Sequence, residues 1–223
     1  MNIAKYLGGL LVISWLLTGC ATMTTDSVST DENITALTAV LQTVINEKIP
    51  SSLLQQSQAV VVADVKKGGL VVAFEAGKGL ISVREGQQWS NPVLIELAVA
   101  SFGFQAGVEA KKIVLVFTNR EAADNLLAGH LKLGAGLDLS AGPLAAEVST
   151  GTVFDKDVYS YSDGLGLFAG LSLEGASLAP NEIANEQLYG EVVTTDDILS
   201  GKAITNSMAV KELKALLRDR TDI

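Results

Sequence analysis

The sequence predicts an α+β fold with a strongly coiled, mostly antiparallel, barrel-like β-sheet flanked by N- and C-terminal helices. Three observations lead to this prediction. Apolar residues alternate with polar or small ones between Lys66 and Phe117, which is the period of a strand with one buried face. Glycine-bearing turn signals divide that stretch at close spacing, as in a series of short strands. Near both ends of the chain, apolar residues recur at helical spacing.

The first nineteen residues have the pattern of a secretory signal peptide. Lys5 supplies a positive charge, and the apolar run from Leu7 to Leu17 is too short to span a bilayer. The sequence LTGC at 17–20 resembles the lipobox of bacterial lipoproteins, in which the signal is cut before the cysteine and the cysteine is acylated. An ordinary secretory signal with an incidental cysteine is the alternative. We therefore expect removal of residues 1–19 and lipidation of Cys20.

Acylation would attach the mature protein to a membrane. Each buried methylene contributes about 0.8 kcal/mol, and two acyl chains are enough for a stable anchor. By the same resemblance, alanine rather than aspartate at position 21 implies the periplasmic face of the outer membrane. Cys20 is the only cysteine in the chain, so no intramolecular disulfide is expected.

Composition excludes some classes of function. The chain has 25 acidic and 16 basic residues and a net charge of −9, so its overall field repels a nucleic-acid backbone. Hydrophobic residues make up 48% of the chain and charged residues 18%, which argues against disorder. Removal of 19 from 223 residues would leave 204, enough for one domain that buries roughly 70% of its unfolded surface.

The N-terminal part of the mature chain is expected to be a tether followed by a helix. Residues 20–32 are rich in Ser and Thr, as in a linker. A helix is predicted from about Asn33 to Lys48, with Thr30 or Asp31 as its cap and Pro50 preventing its continuation. This helix is expected to pack on the sheet. A membrane-lying amphipathic helix is the alternative, although its polar face lacks a row of basic residues.

Strands and turns occupy the centre of the sequence. A short helix at Ser51–Gln58 and an apolar strand at Ala59–Val65 precede the main sheet, and the continuous apolar run 113–117 predicts a central strand buried on both faces. Alternate glycines at 103 and 107, and again at 134 and 136, predict tight curling of the sheet or, alternatively, a ligand groove. The predicted turns lie at 68–69, 77–79 and 85–88.

The second half of the chain is predicted to return to helix at its end. A capping-box pattern starting at Thr118 indicates a helix that ends near Gly129. Helices are again expected at 182–189 and 207–218. Further strands are predicted at 131–139, 144–148, 154–161 and 167–173.

No catalytic or metal-binding pattern is recognisable in the sequence. His130 is the only histidine, and a zinc site would need further ligands of that kind. A nucleophile elbow and a P-loop are absent from the sequence. The carboxylate pairs Asp155/Asp157 and Asp196/Asp197 are explained by turns and helix starts. We therefore expect no enzymatic activity, no cofactor and no metal.

An ordered series of motifs between about Thr35 and Gly190 resembles the SYLF family of lipid-binding domains. The motifs are IPSSLL at 49–54, KKGG at 66–69, GKG at 77–79, WSNP at 89–92, SFGFQAG at 101–107, LKLGA at 131–135, AGP at 141–143, YSYS at 159–162, GLFAG at 166–170, SLEGA at 172–176 and the segment 185–190. The resemblance implies a SYLF domain at 33–190, followed by a C-terminal helical extension at 191–223. It also implies affinity for anionic lipid, because eukaryotic members of the family bind phosphoinositide membranes.

Basic residues in the predicted sheet turns are the candidate lipid head-group site. They are Lys66, Lys67, Lys78, Arg84, Lys111 and Lys112. A lysine near an anionic surface contributes about 1 kcal/mol, and two lysine pairs at one end of the sheet would act together. The alternative is that turns simply carry lysines for solubility.

The sequence therefore predicts a non-enzymatic, membrane-anchored lipoprotein of the bacterial cell envelope whose domain binds anionic phospholipid. A structural or protein-interaction envelope lipoprotein with a protein partner is the alternative function.

Overall fold

The computed structural model describes residues 29–69, 72–102, 107–128, 133, 137–149, 152–162, 176–190 and 192–221. The predicted signal peptide, Cys20, His130 and the predicted strand at 167–173 lie outside these residues, as do the glycines at 103, 134 and 136. Within the described residues, a large sheet is flanked by helices, which confirms the α+β class.

The first helix, α1, spans Thr30–Glu47 and begins with a reciprocal capping box. The Ser29 Oγ accepts a hydrogen bond from the Glu32 N–H at 3.2 Å, and the Glu32 carboxylate accepts from the Ser29 N–H at 3.0 Å. The predicted cap at Thr30 or Asp31 is therefore wrong. A Ser-x-x-Glu pair satisfies two backbone donors at once, which a lone side chain at position 31 does not.

A short helix, α2, spans Ser51–Gln56 and ends two residues before the predicted end at Gln58. Its first position follows Pro50, whose extended conformation stops α1 from continuing. The Ser57 hydroxyl donates to the Leu54 carbonyl at 2.6 Å and holds the chain in the turn that leads into the sheet.

The sheet is built outward from a long central hairpin. Strands β1 and β2 form the hairpin, β5 pairs with β1, and β4 pairs with β2, all antiparallel. The strands are β1 (Ala59–Gly69), β2 (Val72–Glu85), β3 (Gln88–Trp89), β4 (Val93–Phe102), β5 (Gly107–Phe117), β6 (Leu139–Ala141), β7 (Val158–Ser162) and β8 (Ser177–Pro180).

The strand order is β6-β7-β5-β1-β2-β4-β8, and β3 pairs with the end of β2. Only the β6–β7 pair is parallel among the described strands, which confirms a mostly antiparallel sheet. In the described part of the chain this path is open from β6 to β8, so barrel-like closure stays a prediction.

Two of the three predicted glycine turns are wrong. Gly68 and Gly69 lie within β1, and Gly77 and Gly79 lie in the middle of β2. A Cβ atom on Gly79 would stand 2.4 Å from the Val62 carbonyl oxygen, so glycine here permits close approach of two strands. The turn at 85–88 is confirmed, with Gly86 at a φ of 65°.

The centre of the sheet is covered on both faces. Consecutive residues from Ala59 to Ala63 and from Ile113 to Phe117 are all buried, which confirms the predicted central strand at 113–117. Both strands contribute to one continuous core with the helices.

Helix α3 spans Arg120–Leu127, and its N-terminal cap is Asn119 rather than Thr118. The predicted strand at 144–148 is wrong, because the chain forms a 3₁₀ turn at Ala145–Glu147. There the Ala145 N–H donates to the Lys48 carbonyl at the end of α1 instead of to a strand. Helices α4 (Glu182–Tyr189), α5 (Thr195–Leu199) and α6 (Met208–Thr221) complete the fold.

Helices α1 and α6 lie side by side and run in the same direction. The Ser207 hydroxyl donates to the Asp31 carboxylate at one end, and the Arg220 guanidinium donates to the Asn46 side chain at the other. Leu213 of α6 is fully buried between these elements. The division of the chain at Gly190 into a domain and a helical extension stays a prediction.

Among the helices in the described part of the chain, none is both long enough and apolar enough to cross a bilayer.

Candidate functional site

Charged residues of alternating sign form a row across four strands of the sheet. Lys112 of β5 lies opposite Asp64 of β1, Asp64 lies opposite Lys78 of β2, and Lys78 lies opposite Glu96 of β4. Directly opposite residues of antiparallel strands share a face, so the four side chains lie on one side of the sheet.

Lys66 extends this row into a cluster. It lies two residues after Asp64 and therefore on the same face, diagonal to Lys78 and Lys112. Lys66 and Lys78 are exposed, and Lys112 is half-buried. We call Lys66, Lys78 and Lys112 the lysine cluster. Three positive charges with Asp64 and Glu96 leave a local net charge of +1 in a chain whose total is −9.

Asp64 is the residue around which the cluster is arranged. One of its carboxylate oxygens, Oδ1, is buried and accepts no hydrogen bond from the described residues. A buried acceptor without a donor costs about 1–3 kcal/mol. The lysines on the two neighbouring strands therefore offset part of this cost through their charge. The Glu96 carboxylate, by contrast, accepts a hydrogen bond from the Asn181 side chain at 2.6 Å.

The structure does not bring all six predicted basic residues together. Lys111 lies opposite Val65 and therefore on the other face of the sheet, half-buried. Arg84 lies near the end of β2 and donates to the Gln55 carbonyl at 2.8 Å. The side chain of Lys67 lies outside the described residues. The lysine cluster also lies within strands, so the prediction that these residues occupy turns is wrong.

A second feature, a groove between α3 and α5, was not found from the sequence. It has a volume of about 810 Å³ and is lined by Glu85, Asp124 and Asp196 together with Arg120. The Arg120 guanidinium donates to Glu85 and Asp124, both at 2.8 Å, and to the Arg84 carbonyl at 2.9 Å. The Arg120–Asp124 spacing of four residues was the one signal present in the sequence.

Arg120 already pairs with two of the three acidic residues in this groove, Glu85 and Asp124. Partial burial lowers the pKa of Arg120, but its hydrogen bonds to Asp124 and Glu85 outweigh that effect and raise the pKa above the ordinary value. Arg120 thus joins α3 to the end of β2. Within the described ranges, no three acidic, histidine or cysteine side chains are placed to hold a metal ion.

Comparison with known proteins assigns the chain to a family. Residues 98–220 match the family model described as Ysc84, Las17-binding protein actin regulator, which is more than half of the chain. The chain belongs to the SYLF family. The resemblance found in the sequence is thereby confirmed, and the SYLF match extends over α5 and α6.

Several curated proteins are similar to this SYLF chain. Protein YSC84 of Saccharomyces cerevisiae is 35% identical over 70% of this chain and 35% of its own length. LAS seventeen-binding protein 3 of the same yeast is 33% identical over 78% of this chain and 39% of its own length. SH3 domain-containing YSC84-like protein 1 of Xenopus laevis is 32% identical, over 78% and 53% respectively. The chain therefore spans about a third to a half of these relatives. No solved structure matches it.

One of the SYLF motifs holds the C-terminal segment against the sheet. In the WSNP motif, the Trp89 indole N–H donates to the Thr221 hydroxyl at 3.1 Å, and the Asn91 amide donates to the Ala203 carbonyl at 2.8 Å. The Lys214 ammonium donates to the Asn91 side-chain oxygen, and burial lowers the pKa of Lys214. These SYLF residues are therefore explained by packing of the C-terminal segment.

Proposed function

We propose that this chain is a non-enzymatic, membrane-attached SYLF protein whose domain binds anionic phospholipid through Lys66, Lys78 and Lys112. The observation that carries the proposal is the register of β1, β2 and β5, which places one lysine from each strand on the same part of one face. Membership of the SYLF family supports it.

The chemistry of the lysine cluster fits a phosphate-bearing head group. Lysine is a compact positive charge with three rotatable donors, so it contacts phosphate oxygens without a fixed geometry. Each lysine at an anionic surface contributes about 1 kcal/mol. Such a contact is weak alone. Attachment of the chain to the membrane would raise the effective concentration of lipid head groups around the lysine cluster.

The attachment we propose is acylation of Cys20, which would hold the domain at the periplasmic face of the outer membrane in the bacterial cell envelope. We expect the membrane-fraction protein to begin at Cys20 and to carry acyl chains, as measured by mass spectrometry of its N-terminal peptide. Cys20→Ser should instead appear unacylated in the soluble fraction. A membrane-fraction protein that still begins at Met1, or one in which Cys20 is unmodified, would contradict this attachment.

Vesicle co-sedimentation tests the lysine cluster. The protein used begins at Ala21 and is therefore unacylated. Its double variant Lys66→Gln/Lys78→Gln should bind phosphatidylglycerol-containing vesicles about 30-fold less tightly than the same protein with both lysines. This figure corresponds to about 1 kcal/mol for each lysine. Added salt should weaken binding of the parent, because screening acts on exposed charges.

The matched control is Lys156→Gln/Arg218→Gln, which removes the same number of charges elsewhere. Lys156 and Arg218 form exposed ion pairs with Asp138 and Asp219, and such pairs contribute little to stability. Equal loss of binding in the two double variants would mean that only net charge matters. Equal sedimentation with neutral and anionic vesicles would refute the head-group contact.

A protein partner is the alternative function, and the names of the relatives favour it. One yeast relative, matched in two strains, is named LAS seventeen-binding protein 3. In the row from Lys112 to Glu96, positive and negative charges alternate. A partner protein whose surface charges alternate in the opposite order would be complementary to it. Crosslinking that retrieves one stoichiometric protein, with no binding to vesicles, would favour this alternative.

A further inference from the structure

The chain enters the described structure beside the start of α6. Asp31 lies two residues after Ser29, the first described residue, and its carboxylate accepts a hydrogen bond from the Ser207 hydroxyl at 2.7 Å. Ser207 immediately precedes α6. Ser29, the first described residue, is therefore close in sequence to a residue that contacts the start of α6.

Two large apolar side chains are exposed at this place. Ile204 is 76% exposed and Met208 is 63% exposed, whereas Ala203 just before them and Ala209 and Val210 just after them are buried. The buried stripe of α6 is directed elsewhere, because Leu213 and Leu217 belong to the core. Burial of a side chain such as isoleucine or methionine is worth about 1.5–3 kcal/mol, so this pair could gain free energy by leaving water.

We infer that Ile204 and Met208 insert into the membrane surface to which the chain is attached. The inference rests on the proposed acylation of Cys20. From Cys20 to Ser29 there are nine residue steps, which reach at most roughly 30 Å when fully extended. Such a connection keeps Ser29, and with it the start of α6, within about 30 Å of the bilayer surface. The occupant that the geometry selects is therefore the lipid interface itself.

The charges around the pair show what kind of contact this is. Lys202 and Lys211 lie nearby in sequence, as do Asp197 and Glu212, and the Lys202 ammonium lies 3.7 Å from the Asp197 carboxylate. Two positive and two negative charges leave no local excess of either sign, so the contact depends on apolar burial. Unlike binding by the lysine cluster, insertion of Ile204 and Met208 should not weaken as salt is added. Salt dependence therefore separates the two contacts.

Site-specific fluorescence tests the inference on the full, acylated chain in phosphatidylcholine vesicles. Ile204→Cys is labelled with a polarity-sensitive fluorophore, and Met208→Cys serves as a second variant. The matched control is Val153→Cys, because Val153 is 82% exposed and lies far from α6 in the chain. We expect a several-fold rise in emission and quenching by nitroxide-labelled lipid at 204 and 208, unchanged by salt, and neither effect at 153.

The parent chain without an added cysteine distinguishes failure of the inference from failure of the anchor. Cys20 is the only cysteine, so an acylated parent takes up no label. If the parent is labelled, the anchor fails and the inference fails with it. If the parent is unlabelled and the probes at 204 and 208 remain in water, the anchor stands and the insertion is refuted. Equal quenching at 153 would mean that the probe enters the bilayer wherever it is attached. A rise in emission at 204 without vesicles would mean that something other than lipid covers this surface. Either result would overturn the inference.

Discussion

Replacing Gly79 by alanine is expected to destabilise the domain by about 3 kcal/mol or more, because overpacking between two central strands leaves no room for a side chain. An added Cβ would lie 2.4 Å from the Val62 carbonyl oxygen and 2.7 Å from the Ala63 Cβ. Both atoms belong to β1 at the centre of the sheet, so relief requires the two backbones to separate. Urea unfolding followed by circular dichroism measures the loss.

The control for this substitution is Gly201→Ala. Gly201 has a φ of 76°, and nothing lies within 4 Å of the position its Cβ would take. The substitution therefore introduces backbone strain of roughly 1–2 kcal/mol without a clash. If Gly79→Ala proves no more destabilising than Gly201→Ala, the close approach of β1 and β2 is not what requires glycine at 79.

Replacing Asn185 by leucine is expected to cost about 2 kcal/mol, since it removes the hydrogen-bond partner of the Leu94 N–H at the edge of β4. The Asn185 side chain is 3% exposed; its Oδ1 accepts from the Leu94 N–H at 2.8 Å, and its Nδ2 donates to the Leu94 carbonyl at 2.9 Å. Leu94 lies just beyond the last residue paired with β8. Its carbonyl also accepts from the Asn181 N–H at 2.8 Å, so the substitution leaves the Leu94 N–H as the group without a partner. A buried donor in that state costs about 1–3 kcal/mol.

The control for Asn185→Leu is Asn206→Leu, because Asn206 is exposed and surface substitutions change stability by about 0.5 kcal/mol or less. Equal effects of the two substitutions would contradict the role of the buried amide.

Asn185→Asp adds a pH test. Its carboxylate would face the carbonyl oxygens of Leu94 and Asn181, which raises its pKa in the folded state above the unfolded value. The variant should therefore be most stable at low pH and lose stability as pH rises.

The apolar patterns predicted the elements they cover. The run from Ile113 to Phe117 was predicted as a central strand and is buried throughout. The helical stripe of α1 was predicted almost to its ends, and the motif series identified the SYLF family. These predictions hold because burial and periodicity are local properties of the sequence, so no knowledge of distant contacts is needed.

Glycines and caps were predicted less well. Positions 77, 79 and 86 are all glycine, yet of these only Gly86 has a positive φ and forms a turn. A glycine is required wherever the backbone bends or another backbone comes close, and the sequence alone does not distinguish these causes. The cap of α1 was missed for another reason: the Ser29-x-x-Glu32 pair is a local signal, but Ser29 stands beside Thr30 and Asp31, which are also residues of capping type.

The candidate site was predicted by residue type and corrected in position. The lysines were expected in turns, whereas Lys66, Lys78 and Lys112 lie in three strands on one face. Their joint placement follows from strand register, which brings together residues that are distant in sequence, such as Asp64 and Lys112, 48 positions apart. Strand register is set by the packing of the whole sheet, and local spacing carries no record of it.

By itself the sequence determined the class of fold, the central buried strand, the family and the expectation of acylation at Cys20. Only the tertiary structure decided which lysines stand together around Asp64, which glycines separate strands, and which amide completes the edge of β4. The physical reason is the range of the interactions: hydrophobic periodicity acts over one or two turns of chain, whereas register, close approach and buried hydrogen bonding join residues that are distant in sequence.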